Sequence, residues 1–110
     1  MRFFGVESER KGTCYHEFQK GKWDEKTVWK ADSLLLDDDV LEELKLYELF
    51  QVANSNYNYY GVSQIAKDEW KLIRNVANMR GGNIKEAIDE VDIWVTETFK
   101  TEEEFTILGI

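Results

Sequence analysis

The chain has 110 residues and a net charge of −8, from 22 acidic and 14 basic side chains. That balance excludes nonspecific binding to nucleic acid or anionic membranes, which requires positive surface. A hydrophobic share of 43% and an aromatic share of 14% exclude a disordered chain and predict a single domain, residues 1–110, whose core needs no metal or disulfide.

Cys14 is the single cysteine, so no internal disulfide forms. No run approaches the roughly 18 apolar residues of a membrane span. Glu7 and Glu9 interrupt the start MRFFGVESERKG before it reaches the length of a signal peptide. The expected location is the cytoplasm.

In chain order, RFFGVE reads as a short strand. TCYHEFQ alternates, with Cys14, His16 and Phe18 on one face and Tyr15, Glu17 and Gln19 on the other. Gly21 marks a turn. KTVWKADSLLL then brings β-branched and aromatic residues and three leucines, so residues 1–36 predict an antiparallel meander of three or four strands.

The pattern changes at LLLDDDVLEELKLYELFQVA. Asp37, Asp38 or Asp39 suits a helix start, because a carboxylate there accepts from free N–H groups and meets the positive end of the helix dipole. Val40, Leu44 and Tyr47 share one side, while Leu46, Leu49, Phe50 and Ala53 cover much of the rest. A helix apolar nearly all round is mostly buried.

GVSQIAKDEWKLIRNVANM holds a second helix, with Ala66 at the cap position, Glu69 three residues on, and Ile65 and Trp70 as a hydrophobic staple. Gly81-Gly82 stops it. Asn83 with Glu86 predicts the start of a third helix, whose buried stripe is Ile84, Ile88, Val91, Val95 and Phe99. FTILGI is too apolar to stand free and is expected to join the sheet as a terminal strand. The predicted class is α+β: an antiparallel sheet of three to four N-terminal strands plus a C-terminal strand, packed against about three α-helices.

Charge is unevenly spread. Residues 31–62 carry −6 and residues 84–110 carry −6, while residues 1–30 and 63–83 carry +2 each. Two acidic blocks form one negative face if the fold brings them together.

Motifs for catalysis are absent: there is no serine elbow, phosphate loop or dinucleotide fingerprint. Cys14 and His16 lie side by side on a strand face without a third group. One histidine and one cysteine cannot build a structural zinc site. Asp37, Asp38 and Asp39 lack the spacing of a calcium loop. No cofactor is expected.

The stretch NSNYNYYG, residues 54–61, has the composition of a protein-binding loop, in which tyrosine brings large amphipathic area at little entropic cost. Three neighbouring tyrosines cannot all be buried. Tyr60 is expected to pack inward at the helix junction, leaving Tyr57 and Tyr59 as the contact candidates.

The run YNYYGVSQIAKDEW, an aromatic turn followed by an acidic-tryptophan helix start, resembles small bacterial proteins of the toxin-immunity type. The resemblance implies a cytosolic, non-enzymatic inhibitor that binds a basic, nuclease-like toxin domain. It carries over no binding residue. The residues themselves nominate Asp37, Asp38, Asp39, Glu42, Tyr57 and Tyr59 as a partner-binding set for a basic protein, with no direct nucleic-acid or membrane contact. Two alternatives stand beside it: a small enzyme using His16 with a nearby carboxylate, and a structural adaptor exposing a broad apolar patch.

Overall fold

Alternation in TCYHEFQ and the leucine run before DDD place two strands side by side at the centre of the molecule. The computed structural model describes residues 1–110. It has strands β1 (Phe4–Gly5), β2 (Tyr15–Lys20), β3 (Leu34–Asp37), β4 (Val62–Ala66) and β5 (Glu104–Leu108). The helices are α1 (Asp38–Glu43), α2 (Leu46–Ala53), α3 (Lys67–Arg80) and α4 (Gly82–Thr98). The sheet order is β1-β3-β2-β5-β4, antiparallel at every pairing. The class is α+β, as the sequence predicts.

Register fixes the two faces of the sheet. His16 opposes Leu36, Phe18 opposes Leu34 and Ile107, and Ile65 opposes Phe105. These side chains share the helix-covered face and belong, except for His16, to one cluster of 18 buried apolar residues. Phe18 stacks on Phe105 with centroids 5.6 Å apart and meets Phe4 edge-on at 5.4 Å. Burying several aromatic rings in one cluster supplies much of the drive to fold.

The opposite face carries Glu17, Gln19 and Thr106, all buried. The chain between β2 and β3 covers them. Residues 26–33, expected as strand, instead form with the turn before them a loop that satisfies these polar groups. The Glu17 carboxylate accepts from the N–H groups of Trp29 and Lys30, both at 2.8 Å, and from the Ser33 hydroxyl at 2.7 Å. Gln19 Nε2 donates to the Thr27 carbonyl, and the Thr106 hydroxyl to the Gly21 carbonyl. A buried carboxylate needs such donors, and a loop supplies them better than a strand whose N–H groups already serve a ladder.

The single helix expected from Val40 to Ala53 is broken into α1 and α2 at Lys45, which takes a left-handed conformation (φ 54°). The break has a packing cause. At about 100° per residue, Leu41 and Leu46 in one continuous helix point roughly 140° apart. Both are fully buried here, and only a bend lets both reach the core.

Val62–Ala66 is a further correction: the sequence reading treats it as a lead-in to the second helix, and it is β4. Ser63 and Ile65 point inward while Val62 and Gln64 face out, the period of two proper to a strand. The helix start is where the sequence puts it: Ala66 caps α3, and the Ala66 N–H donates to the Glu69 carboxylate at 2.8 Å. Asn83, in contrast, is not a cap. Gly81, at φ 66°, both ends α3 and opens α4, a conformation that costs glycine little. No helix is long and apolar enough to cross a membrane.

Candidate partner-binding face

Where β3 runs into α1, Asp37 and Asp38 divide the work that either could do. Asp37 is the cap, its carboxylate accepting from the Asp39 N–H at 2.8 Å. It lines a separate cleft with Arg2, Arg10 and Tyr15. Asp38 turns inward. Its Oδ1 meets His16 Nε2 at 2.8 Å and accepts from the Tyr59 hydroxyl.

His16 has no exposed surface. Its Nε2 faces a carboxylate and donates to it, while Nδ1 is buried without a partner. Burial opposes ionisation of Asp38, but the hydrogen bonds from Tyr59 and His16, with the charge of His16, outweigh it and hold the carboxyl below its usual range. Tyr59 moves the other way: burial, the bond to Asp38 and the charges of Asp38 and Glu42 push its phenol far above the ordinary value. The phenol therefore stays a donor at any physiological pH.

Tyr59 is the hinge between inside and outside. Its hydroxyl lies 3.2 Å from Glu42 Oε1 as well, and its ring meets His16 at 5.0 Å, Tyr47 at 6.3 Å and Tyr60 at 4.8 Å, each edge-on. Glu42, Tyr47, Tyr59 and Tyr60 line a surface cleft of about 340 Å³. Asp38, Asp39 and Glu42 each place a carboxylate oxygen within 4.8 Å of the others. Because Asp38 is committed to His16 and Tyr59, the open carboxylates of this cluster are Asp39 and Glu42, both exposed.

The loop that carries the tyrosines is held by asparagines. The Asn54 side chain donates to the Gln64 carbonyl at 2.7 Å and accepts from Asn56 N–H at 2.9 Å. Asn58 N–H donates to the Ser63 hydroxyl at 2.8 Å, and the Asn58 side chain accepts from Tyr60 N–H at 3.0 Å. Such side-chain turns replace missing backbone pairing. At the far end, Gly109 N–H donates to the Gly61 carbonyl at 2.7 Å, and the Tyr59 carbonyl lies where any side chain on Gly109 would stand.

Of the six nominated residues, the fold brings Asp38, Asp39, Glu42 and Tyr59 together. Asp37 lies outside the cleft. Tyr57 is corrected: it is 5% exposed and packs on Phe50 with centroids 5.4 Å apart, and burial with the charge of Asp38 raises its phenol pKa. Tyr60, expected inside, is 77% exposed. Tyr47 and Tyr60 were missed as contact residues. Tyr57, not Tyr60, stands opposite the core because the chain turns outward at Asn58.

The two acidic blocks differ in how far basic residues neutralise them. α3, which carries Lys67, Lys71, Arg74 and Arg80, packs against both α2 and α4. The tail block is also partly neutralised: Glu86 pairs with Arg2, Asp89 with Lys85, Asp92 with Arg74 and Glu97 with Lys100. In the middle block, Asp39, Glu42, Glu43 and Glu48 form no ion pair with lysine or arginine. Unpaired carboxylates thus stand beside the tyrosine cleft, and Glu90, Glu102, Glu103 and Glu104 of the tail block likewise pair with no lysine or arginine.

No family model matches the chain, and neither a curated protein nor a solved structure is significantly similar to it.

Proposed function

We propose that this protein is a non-enzymatic inhibitor that binds a basic protein partner, and that it serves as a cytoplasmic immunity protein against a nuclease-like bacterial toxin domain. The observation that carries the reading is the meeting of two carboxylates free of ion pairs, Asp39 and Glu42, with the ring of Tyr47 on α2 and the rings of Tyr59 and Tyr60 on a loop fastened at both ends. Unpaired surface carboxylates steer a basic partner and speed its encounter. Tyrosines of restricted mobility then anchor it, since little side-chain entropy is left to lose. Against a nuclease, the carboxylates would stand in the cleft that normally receives phosphates.

The enzyme alternative draws support from the His16–Asp38 pair, but His16 is wholly enclosed and lines none of the larger clefts. The adaptor alternative is favoured by one observation, a cleft lined by Met1, Leu34, Ile93 and Trp94 in which Ile93 is mostly exposed, although Lys20, Glu90 and Glu97 line it as well.

The test is to identify a toxin domain encoded beside this gene and to measure protection of cells that express it. Wild type restores growth, and Glu42→Lys with Tyr60→Ala loses protection while melting at the wild-type temperature. Full protection by that folded variant would refute the assignment of the face. Loss of protection by Ile93→Lys instead would favour the adaptor cleft.

A further inference from the structure

We infer that the outer edge of β4 is a docking site for an extended segment of the same basic partner, which adds to the sheet as a sixth strand. This rests on the partner proposed above and extends it to a second point of contact. β4 pairs with β5 on one side and with no strand on the other. The opposite edge of the sheet offers no equivalent. β1 has two residues, and the N–H groups of Arg2 and Phe3 just before it are bonded to Glu90.

The direction of the β4 polar groups follows from its register. Gly109 N–H donates to Gly61 O, so the Gly61 carbonyl points toward β5, while the Gly61 N–H closes a turn onto the Asn58 carbonyl. Alternation gives Ser63 and Ile65 the same direction and turns Val62, Gln64 and Ala66 outward. Two bonds agree: Gln64 O accepts from Asn54 Nδ2, and Ala66 N–H donates to Glu69. Asn54 thus stands where the donor of a neighbouring strand would stand, so a docked segment pairs at Val62 and at Gln64 N–H and ends at Asn54. Gln64 N–H and both groups of Val62 are left facing solvent, an unpaired edge of the kind that recruits an extended chain.

Charge selects the occupant. A groove of about 490 Å³ follows this edge, and its charged lining is Glu69 and Glu104. Neither forms an ion pair with a lysine or arginine. A second copy of the chain would bring the same two carboxylates against themselves, on molecules of net charge −8. A strand with lysine or arginine at alternate positions pairs with them instead.

The experiment is an amide-resolved NMR titration with a short synthetic peptide of alternating lysine and threonine. Shifts at Val62 and Gln64 are expected. A peptide of the same sequence with N-methylated alternate amides, equal in charge but unable to pair, binds roughly tenfold more weakly. Gln64→Pro, which removes an outward donor and leaves the β5 ladder intact, produces the same loss.

Equal binding of the methylated peptide would overturn the inference, as would an absence of shifts. Shifts confined to Glu42, Tyr59 and Tyr60 would overturn it too, while leaving the acidic tyrosine face standing. A doubling of mass abolished by Gln64→Pro would assign the edge to a second copy instead.

Discussion

His16 and Asp38, 22 positions apart in the chain, meet at 2.8 Å beneath the tyrosine cleft. The contact ties β2 to the start of α1, and through Asp38 it fixes the phenol of Tyr59. Removing the imidazole leaves a mostly buried carboxylate short of a donor. His16→Ala is therefore expected to lower stability by about 2–4 kcal/mol, from the lost bond and the cavity together. Urea unfolding measures it, and Tyr59 ring resonances should broaden in the same variant.

Acid should loosen the same contact. The Asp38 carboxyl sits below its ordinary value of 3.8 in the folded protein. The unfolded chain therefore binds a proton first as pH falls, and this contribution to stability is full above that value and lost on descent through the folded one. Asp24, held low by its bonds from Thr27 and Lys26, and Glu97, held low by Lys100, act in the same direction. Melting temperature against pH should thus fall less steeply in Asp38→Asn than in wild type, and a parallel curve would contradict the assignment.

Gly109 is expected to tolerate no side chain. A Cβ there collides with the Tyr59 carbonyl and crowds Gly61 N, both backbone atoms that cannot step aside cheaply. Gly109→Ala should cost about 2 kcal/mol or more and should displace Tyr59 and Tyr60, visible as changed tyrosine chemical shifts. Gly12→Ala serves as a comparison: its Cβ meets nothing within 4 Å, although its positive φ strains the backbone.

The start of α3 lacks a capping oxygen. Glu69 satisfies the Ala66 N–H, but Ala66 has no side chain to return the bond. Ala66→Ser is expected to stabilise the protein by about 0.5–2 kcal/mol, read from a thermal melt. Ser63 offers no alternative start, since it lies within β4 and its hydroxyl accepts from Asn58.

Glu17 holds the loop over the back of the sheet. Glu17→Ala leaves two backbone N–H groups and the Ser33 hydroxyl without their acceptor. A loss of roughly 3 kcal/mol is expected, with Trp23 and Trp29 fluorescence shifting to the red as the loop opens.

Elements that declare themselves by one strong period were legible in the sequence: the β2 alternation, the stripe of α4, the apolar β5, and the Ala66–Glu69 start of α3. Elements whose form depends on distant partners were not. Residues 26–33 look like a strand by composition, yet Glu17 and Gln19 draw them into a loop. Lys45 carries no mark of a break, because the demand to bury both Leu41 and Leu46 arises only once the sheet exists.

The site followed the same division. Asp39, Glu42 and Tyr59 could be named from composition and position. The burial of Tyr57 and the exposure of Tyr60 turn on one reversal of direction at Asn58, which no local pattern reports. The side-chain turns at Asn54 and Asn58 that fix the loop were a local signal that the sequence reading did not use.

The most direct test of the proposed partner-binding face is the association rate of a purified basic toxin domain, the proposed partner, with this protein as ionic strength rises. The account predicts a steep fall in that rate, with Asp39→Asn and Glu42→Gln flattening the slope and Tyr60→Ala instead raising the dissociation rate. A rate indifferent to salt, and unchanged by the loss of both carboxylates, would contradict it.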